Sequence, residues 1–193
     1  MRIELTDIDG PLIIEPEVFA DQRGHFFEQF HVNRYRQIGL RGPFVQDNCA
    51  YSHHGVIRGL HYQVAEHAQG KLASVVYGRV LDVAVDIRFG SPTFGEHIAV
   101  ELSSDNQRQL WVPPGFAHGV SVLSDVAVLS YKCTAYFNAS HQRAIRYDDP
   151  DLQIDWQVGA PVVTEKDAGA GYFRAIERDF VYDGALRHHL AGA

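Results

Sequence analysis

Leu72-Ala-Ser-Val-Val-Tyr77, Gly78-Arg79 and Val80-Leu-Asp-Val-Ala-Val-Asp-Ile87 form the stretch from which the fold is read. Two runs rich in β-branched residues meet across a Gly-X pair. Glycine accepts the positive φ of a tight turn, so the pattern predicts a β-hairpin. In the second run Leu81, Val83, Val85 and Ile87 alternate with Val80, Asp82, Ala84 and Asp86. One face is strongly apolar; the mixed face either lines a polar cavity or meets solvent. Outward from this pair, further strands are expected at residues 11–19, 25–31, 95–102, 108–112, 119–123, 127–137 and 144–146. Turn residues such as Gly90-Ser-Pro-Thr93 and Pro113-Pro-Gly115 separate them. Short strands with frequent turns predict an antiparallel sandwich or barrel. Helices are expected at 32–38, before Gly39, and at 170–178, with a frayed tail over 182–193.

The chain has 193 residues, 46% of them hydrophobic and 11% aromatic, which suits one globular domain with its own core. A net charge of −7 argues against a general nucleic-acid surface. No apolar run reaches the length of a membrane helix, and the start lacks a signal-type core. Cys49 and Cys133 form no C-x-x-C pair and make a poor disulfide framework. A cytoplasmic protein with reduced thiols is expected.

Eleven histidines raise the question of a metal. Pro113-x-Gly115-x-x-His118 is similar to the second motif of the cupins, small β-barrels that often hold one. Their first motif supplies an H-x-H pair, whereas Gly59-Leu-His61-Tyr-Gln63 has a single histidine. A metal needs three or four convergent ligands, so no metal is expected. Arg58 and His61, three apart, would face opposite ways on a strand unless Gly59 introduces a bulge. Lys71 follows just before the turn. A buried ammonium aimed at a carbonyl oxygen would stabilise an enolate. Arg23 and Arg58 have the fork geometry for a diphosphate. With no Walker or Rossmann glycine pattern, a nucleotide would be the handle of a substrate. Tyr131 is a phenol on a strand, either packing or carrying a proton. Asp167, in the charged loop Glu165-Lys166-Asp167, matters only if the fold returns it to His61.

These stretches together resemble dTDP-4-dehydrorhamnose 3,5-epimerases. The resemblance rests on Gly55-Val-Ile-Arg-Gly-Leu-His-Tyr-Gln63, Gln69-Gly-Lys71, Asp82-Val-Ala-Val-Asp-Ile-Arg88 and Ser91-Pro-Thr93. It continues through Gln109-Leu-Trp-Val-Pro113, Gly115-Phe-Ala-His-Gly119, Tyr131-Lys132, Asp148-Asp-Pro150 and Lys166-Asp167, in family order from about residue 10 to 170. It implies an all-β, cupin-type antiparallel jelly-roll barrel with a few short flanking helices. The expected layout is a single epimerase domain, 1–193, with its barrel core at about 10–165 and a tail at about 168–193. It also implies a homodimer and no cofactor. The implied reaction inverts C3 and C5 of a dTDP-4-keto-6-deoxyglucose-type substrate, on a route to L-rhamnose and polysaccharide.

By motif position, His61 resembles the base, Asp167 its partner, Tyr131 the acid on the opposite face and Lys71 the group near the C4 oxygen. Arg58 would bind the diphosphate, and Arg23 would reach it from the neighbouring subunit. Phe19, Glu28, Gln46 and Asn48 match substrate-contacting positions, and His118 matches a pocket histidine. Members often carry Tyr-Tyr where this chain has Tyr136-Phe137. The resemblance therefore leaves open both double inversion and inversion of C3 alone. A metal-dependent cupin oxygenase and a non-catalytic sugar-binding barrel are the readings from other classes.

Overall fold

The computed structural model describes residues 1–40 and 42–184. Its strands, in chain order, are β1 (Arg2–Leu5), β2 (Leu12–Glu15), β3 (Val18–Asp21), β4 (Gly24–Phe27), β5 (Gln46–His53), β6 (Ile57–Gln63) and β7 (Lys71–Tyr77). They continue with β8 (Arg79–Asp86), β9 (His97–Ser103), β10 (Gln109–Val112), β11 (Phe116–Val122), β12 (Val126–Cys133) and β13 (Gln142–Ala144). Two short α-helices are present, α1 (Val32–Gln37) and α2 (Glu165–Ala168). The strands form a six-stranded sheet, β1-β2-β10-β7-β12-β5, and a five-stranded sheet, β13-β6-β11-β8-β9, while β3 and β4 make a separate ribbon. Every strand pair is antiparallel.

The expected hairpin is not formed. β7 pairs with β10 and β12 in one sheet, and β8 pairs with β11 and β9 in the other. Gly78-Arg79 is a corner at which the chain changes sheets. Gly78 has φ +79°, and a Cβ there would lie 2.1 Å from the Val126 carbonyl oxygen. A corner and a hairpin make the same local demand on glycine, so the local pattern does not distinguish them.

The alternation in β8 does identify its two faces. Val80 and Ala84 pack between the sheets with Ala73 and Val75 of β7, Leu110 of β10 and Leu129 of β12. Leu81, Val83, Val85 and Ile87 point the other way, into a second cluster with Leu60, Ile145, Leu152 and Trp156. The segment after β13 thus covers the outer side of the five-stranded sheet, and β8 is buried on both faces. A third cluster seats Tyr35 of α1 against Leu12, Ile14, Leu72 and Trp111 on the outer side of the six-stranded sheet. Each fully buried aliphatic side chain contributes about 1.5–3 kcal/mol, so the two outer clusters fix these flanking segments to the barrel.

Several boundaries differ from expectation. The strand expected over 11–19 breaks at Pro16-Glu17 into β2 and β3, because proline has no N–H for the ladder. The run over 25–31 ends at Phe27, and the run over 127–137 ends at Cys133, leaving Tyr136 and Phe137 exposed beyond it. The helix expected at 170–178 is only a 3-10 turn, Phe173–Ala175. There the Phe173 N–H donates to Asp149 Oδ2 (2.7 Å) and its ring packs on Phe94, so docking replaces helix propagation. Tyr182 is not frayed, since its N–H donates to the Phe89 carbonyl at 2.9 Å and its ring faces the Arg88 guanidinium. The rest of the expected tail, 185–193, lies outside the described residues.

Gly78→Ala tests the corner. It should destabilise the chain by more than about 1 kcal/mol, because alanine is strained at positive φ and its methyl meets backbone. Urea unfolding is expected to show a lower midpoint with an unchanged slope.

Candidate active site

The cavity between the sheets, about 550 Å³, is lined by Arg58, His61, Lys71, His118, Tyr131 and Asp167, among others. These side chains come from different elements. Arg58 and His61 belong to β6, and His118 to its neighbour β11. The β6–β11 register runs His118↔His61 and then Val120↔Arg58. Three steps along β6 therefore match two along β11. This is the bulge that the spacing of Arg58 and His61 required, and it turns both side chains to the cavity. The bulge is at Gly59, whose φ is +135° and whose Cβ would lie 2.5 Å from Gly119 Cα. Lys71 starts β7, and Tyr131 lies on β12 with Ala73 as its cross-strand partner.

Asp167 arrives from the segment after β13. Val162 bridges Val56 in parallel, and the Ile57 N–H donates to the Val162 carbonyl at 3.0 Å. That short zip leads into α2, which was expected to be a charged loop. Thr164 Oγ1 accepts from the Asp167 N–H at 3.2 Å and caps the turn. Thr164-x-x-Asp167 has the pattern of a capping box, the signal that locates this helix.

Asp167 Oδ1 lies 2.8 Å from His61 Nε2, and Oδ2 lies 3.5 Å from the Gly59 N–H. Nδ1 is thus the ring nitrogen of His61 not committed to the carboxylate. Burial lowers the His61 pKa below 6.5, while the Asp167 hydrogen bond and charge oppose that shift. The result is an imidazole kept neutral for accepting a proton, beside a carboxylate that stabilises the protonated form.

Lys71 Nζ donates to the His61 carbonyl at 3.4 Å. Desolvation lowers its pKa from 10.5, opposed by Cys133 and Asp82. Tyr131 is shifted upward from 10.0, mainly by burial, which keeps its phenol protonated. His118 Nε2 sits 2.7 Å from Asp82 Oδ1, and both residues are buried. Among the described residues no β8 side chain lines the cavity itself. The mixed face of β8 packs in the core and reaches the site only through Asp82, which holds His118 and is a residue that sequence reasoning did not single out. Ser52, which accepts from Arg58 Nε at 3.1 Å, is another. Lys166 also lines the cavity.

The other expected residues are placed differently. Gln46 and Asn48 lie on β5 opposite Cys133 and Tyr131. Gln46 Nε2 donates to Asn48 Oδ1 at 3.0 Å. Phe19, on the β3–β4 ribbon, is 58% exposed. Arg23, at its tip, pairs with Asp21, and Glu28 pairs with Arg34 at 3.0 Å. None of these five lines the cavity of its own chain. As for a metal, His61 and His118 each face a carboxylate, and among the described residues the cavity assembles no set of three metal-capable groups.

The sequence profile of the family described as dTDP-4-dehydrorhamnose 3,5-epimerase matches residues 5–175. A dTDP-4-dehydrorhamnose 3,5-epimerase from Shigella flexneri is 47% identical over 181 residues, covering 93% of this chain and 99% of that protein. The crystal structure of dTDP-6-deoxy-D-glucose-3,5-epimerase from Legionella pneumophila Philadelphia 1, in complex with dTDP-4-keto-L-rhamnose, superposes with a TM-score of 0.90. It is 48% identical and covers 94% of this chain and 98% of that one. A 3′-monoepimerase from Streptomyces bikiniensis, in complex with dTDP-quinovose, gives a TM-score of 0.83 at 33% identity, covering 88% and 86%. The two-sheet barrel is accordingly the cupin-type jelly roll that these proteins share. The chain belongs to the dTDP-4-dehydrorhamnose 3,5-epimerase family.

Proposed function

We propose that the chain, acting as one epimerase domain, inverts C3 and C5 of a dTDP-4-keto-6-deoxyhexose and yields dTDP-4-dehydro-L-rhamnose. One observation carries this reading: an Asp167-held His61 shares a single cavity with Lys71 and Tyr131. Both target hydrogens are α to the C4 ketone. His61 Nδ1 removes one, the C–H electron pair forms the enolate, and charge develops on the C4 oxygen. The Lys71 ammonium stabilises that charge from its buried position in the barrel. The Tyr131 phenol then delivers a proton to the same carbon from the opposite face, and both groups return to their starting states by exchange with solvent. Arg58 holds the diphosphate bidentately, and His118, fixed by Asp82, contacts the sugar. The product serves L-rhamnose and polysaccharide formation.

The active form in this proposal is a homodimer. Phe19 and Arg23 stand on an exposed ribbon that also shows Val18 and Phe26, 42% and 72% exposed. Apolar side chains grouped with an arginine on a protruding ribbon suit insertion into a partner's cavity. The protein works in the cytoplasm, consistent with unpaired Cys49 and Cys133. Among the described residues no helix is long and apolar enough to cross a membrane.

A second reading, inversion of C3 alone, is favoured by Phe137, which lacks the hydroxyl of the Tyr-Tyr pair, and by the similarity to a 3′-monoepimerase.

Four experiments test these assignments. In heavy water, the 4-keto-6-deoxyglucose nucleotide should gain deuterium at both C3 and C5; exchange at C3 alone decides for the second reading. His61→Ala should fold normally and lose epimerisation. Asp167→Asn should lower kcat on the order of 10²–10⁴-fold. It also removes the Asp167 charge that raises the His61 pKa and weakens the hydrogen bond that does the same, so His61 should titrate at a lower pH than in the wild type when followed by NMR; an upward shift contradicts the dyad. Finally, inactive Arg23→Ala and His61→Ala chains should complement on mixing. If Arg23 acts across the dimer, half the dimers are mixed and each has one complete site, restoring about a quarter of full activity. Arg23 acting within its own chain restores none.

A further inference from the structure

Outside the cavity, one set of metal-capable side chains converges among the described residues. Glu66, His67 and His141 each place one ligand atom within 4.8 Å of the others. They come from two 3-10 turns, Ala65–His67 after β6 and Ala139–His141 before β13. The backbone holds these turns together. The Val64 N–H donates to the His141 carbonyl at 3.1 Å. Gln63 Nε2 donates to the carbonyls of His67 (2.8 Å) and Tyr136 (3.1 Å), and Gln63 Oε1 accepts from the Asn138 N–H (2.7 Å). Much of the ordering cost of a binding site is therefore met in the fold itself.

The hydrogen bonds also fix which ring nitrogens carry lone pairs. Ser140 donates both its N–H and its hydroxyl to Asn138 Oδ1, at 3.0 and 2.7 Å. This orients the Asn138 amide so that Nδ2 donates to His67 Nε2 at 2.9 Å. His67 Nε2 is thus an acceptor, and its lone pair is the one a metal would take in exchange for the amide. The Ser140 hydroxyl proton is already committed, so its oxygen accepts from His141 Nδ1 at 3.1 Å. His141 Nε2 is left with a free lone pair. A metal-ligating histidine usually donates its other ring N–H to an oxygen acceptor that fixes its tautomer, and the Ser140 hydroxyl oxygen stands in that position here. The two rings lie 4.3 Å apart, and Glu66 Oε1 is 3.8 Å from His67 Nε2.

We propose that Glu66, His67 and His141 bind a divalent cation of the zinc class, joining the turn after β6 to the turn before β13. Two imidazoles and one carboxylate select borderline cations such as zinc, cobalt or nickel over magnesium or calcium, with water completing the coordination. The bound ion would also restrain Tyr136, whose carbonyl Gln63 ties to the same turns. The site is separate from the cavity and does not depend on the epimerase reading.

The test is calorimetric titration of the chelator-treated full chain with zinc alone, with the cobalt visible spectrum as the coordination readout. One equivalent should bind per chain and raise the thermal midpoint, as a ligand specific for the folded state does. His67→Ala and His141→Ala should each weaken binding more than about tenfold, and Glu66→Gln by a smaller factor. Glu66 is 74% exposed, so its replacement leaves the fold intact and separates lost ligation from lost structure. No binding at about 100 μM zinc, at the weak end of typical site affinities, overturns the proposal. So does equal binding by all three variants and the wild type, which would place the ion elsewhere.

Discussion

Gly59 lies so close to β11 that one added carbon would sit 2.5 Å from the Cα of Gly119. That contact lets β6 carry one more residue than its partner between the Arg58 and His61 positions. Without the bulge, the period-2 alternation of a strand would send one of these side chains into the cluster around Leu60 and Trp156. Gly119 is confined in turn by Trp156 and Leu60, whose atoms would lie 2.9 and 3.1 Å from a Cβ there. The covering segment thus holds the two strands together at the place where the site needs them closest. The same segment continues through Val162 to Asp167. One stretch of chain both seals the outer face and supplies the carboxylate for His61.

The interior so formed is costly to keep polar. His61, Lys71, His118, Asp82 and Asp167 all enter a barrel otherwise packed with valine, leucine and alanine. Burial of a charged group without a partner is strongly destabilising. The structure answers with pairs, His61 with Asp167 and His118 with Asp82. Lys71 has only a carbonyl at 3.4 Å, and burial pushes its pKa down. Among the described residues Asp82 Oδ2 is buried without a hydrogen-bond partner. Such incompletely satisfied groups mark where stability has been given up for preorganised electrostatics.

This division explains what the sequence made legible. Apolar alternation revealed β8 and both its faces, because packing alone determines them. It did not reveal its neighbours in the sheet, since a Gly-X corner and a Gly-X hairpin share a local pattern. β5 was missed altogether. Its less exposed positions are Gln46, Asn48, Ala50 and Ser52, so a strand whose inward side is mostly polar lacks the apolar period by which strands are recognised. Asp167 was legible as a family position but not as part of a helix, because a four-residue turn has no periodicity and shows only its cap. Asp82 was hidden for another reason. An aspartate in an otherwise apolar strand reads as a break in the pattern until the register puts Val120 opposite it, with His118 two residues away on the same face.

The sandwich also places the two proposed proton carriers on opposite walls. His61 and His118 stand on the five-stranded sheet, whereas Lys71 and Tyr131 stand on the six-stranded one. A sugar ring held between the sheets therefore has an imidazole on one wall and a phenol on the other. In the proposed mechanism, removal of a proton on one side and its return on the other use these two walls. Here the inter-sheet separation, set by the apolar cluster of Ala73, Val75, Val80, Val120 and Leu129, positions His61 relative to Tyr131. Packing of residues that never meet the substrate thereby becomes part of the proposed stereochemical control.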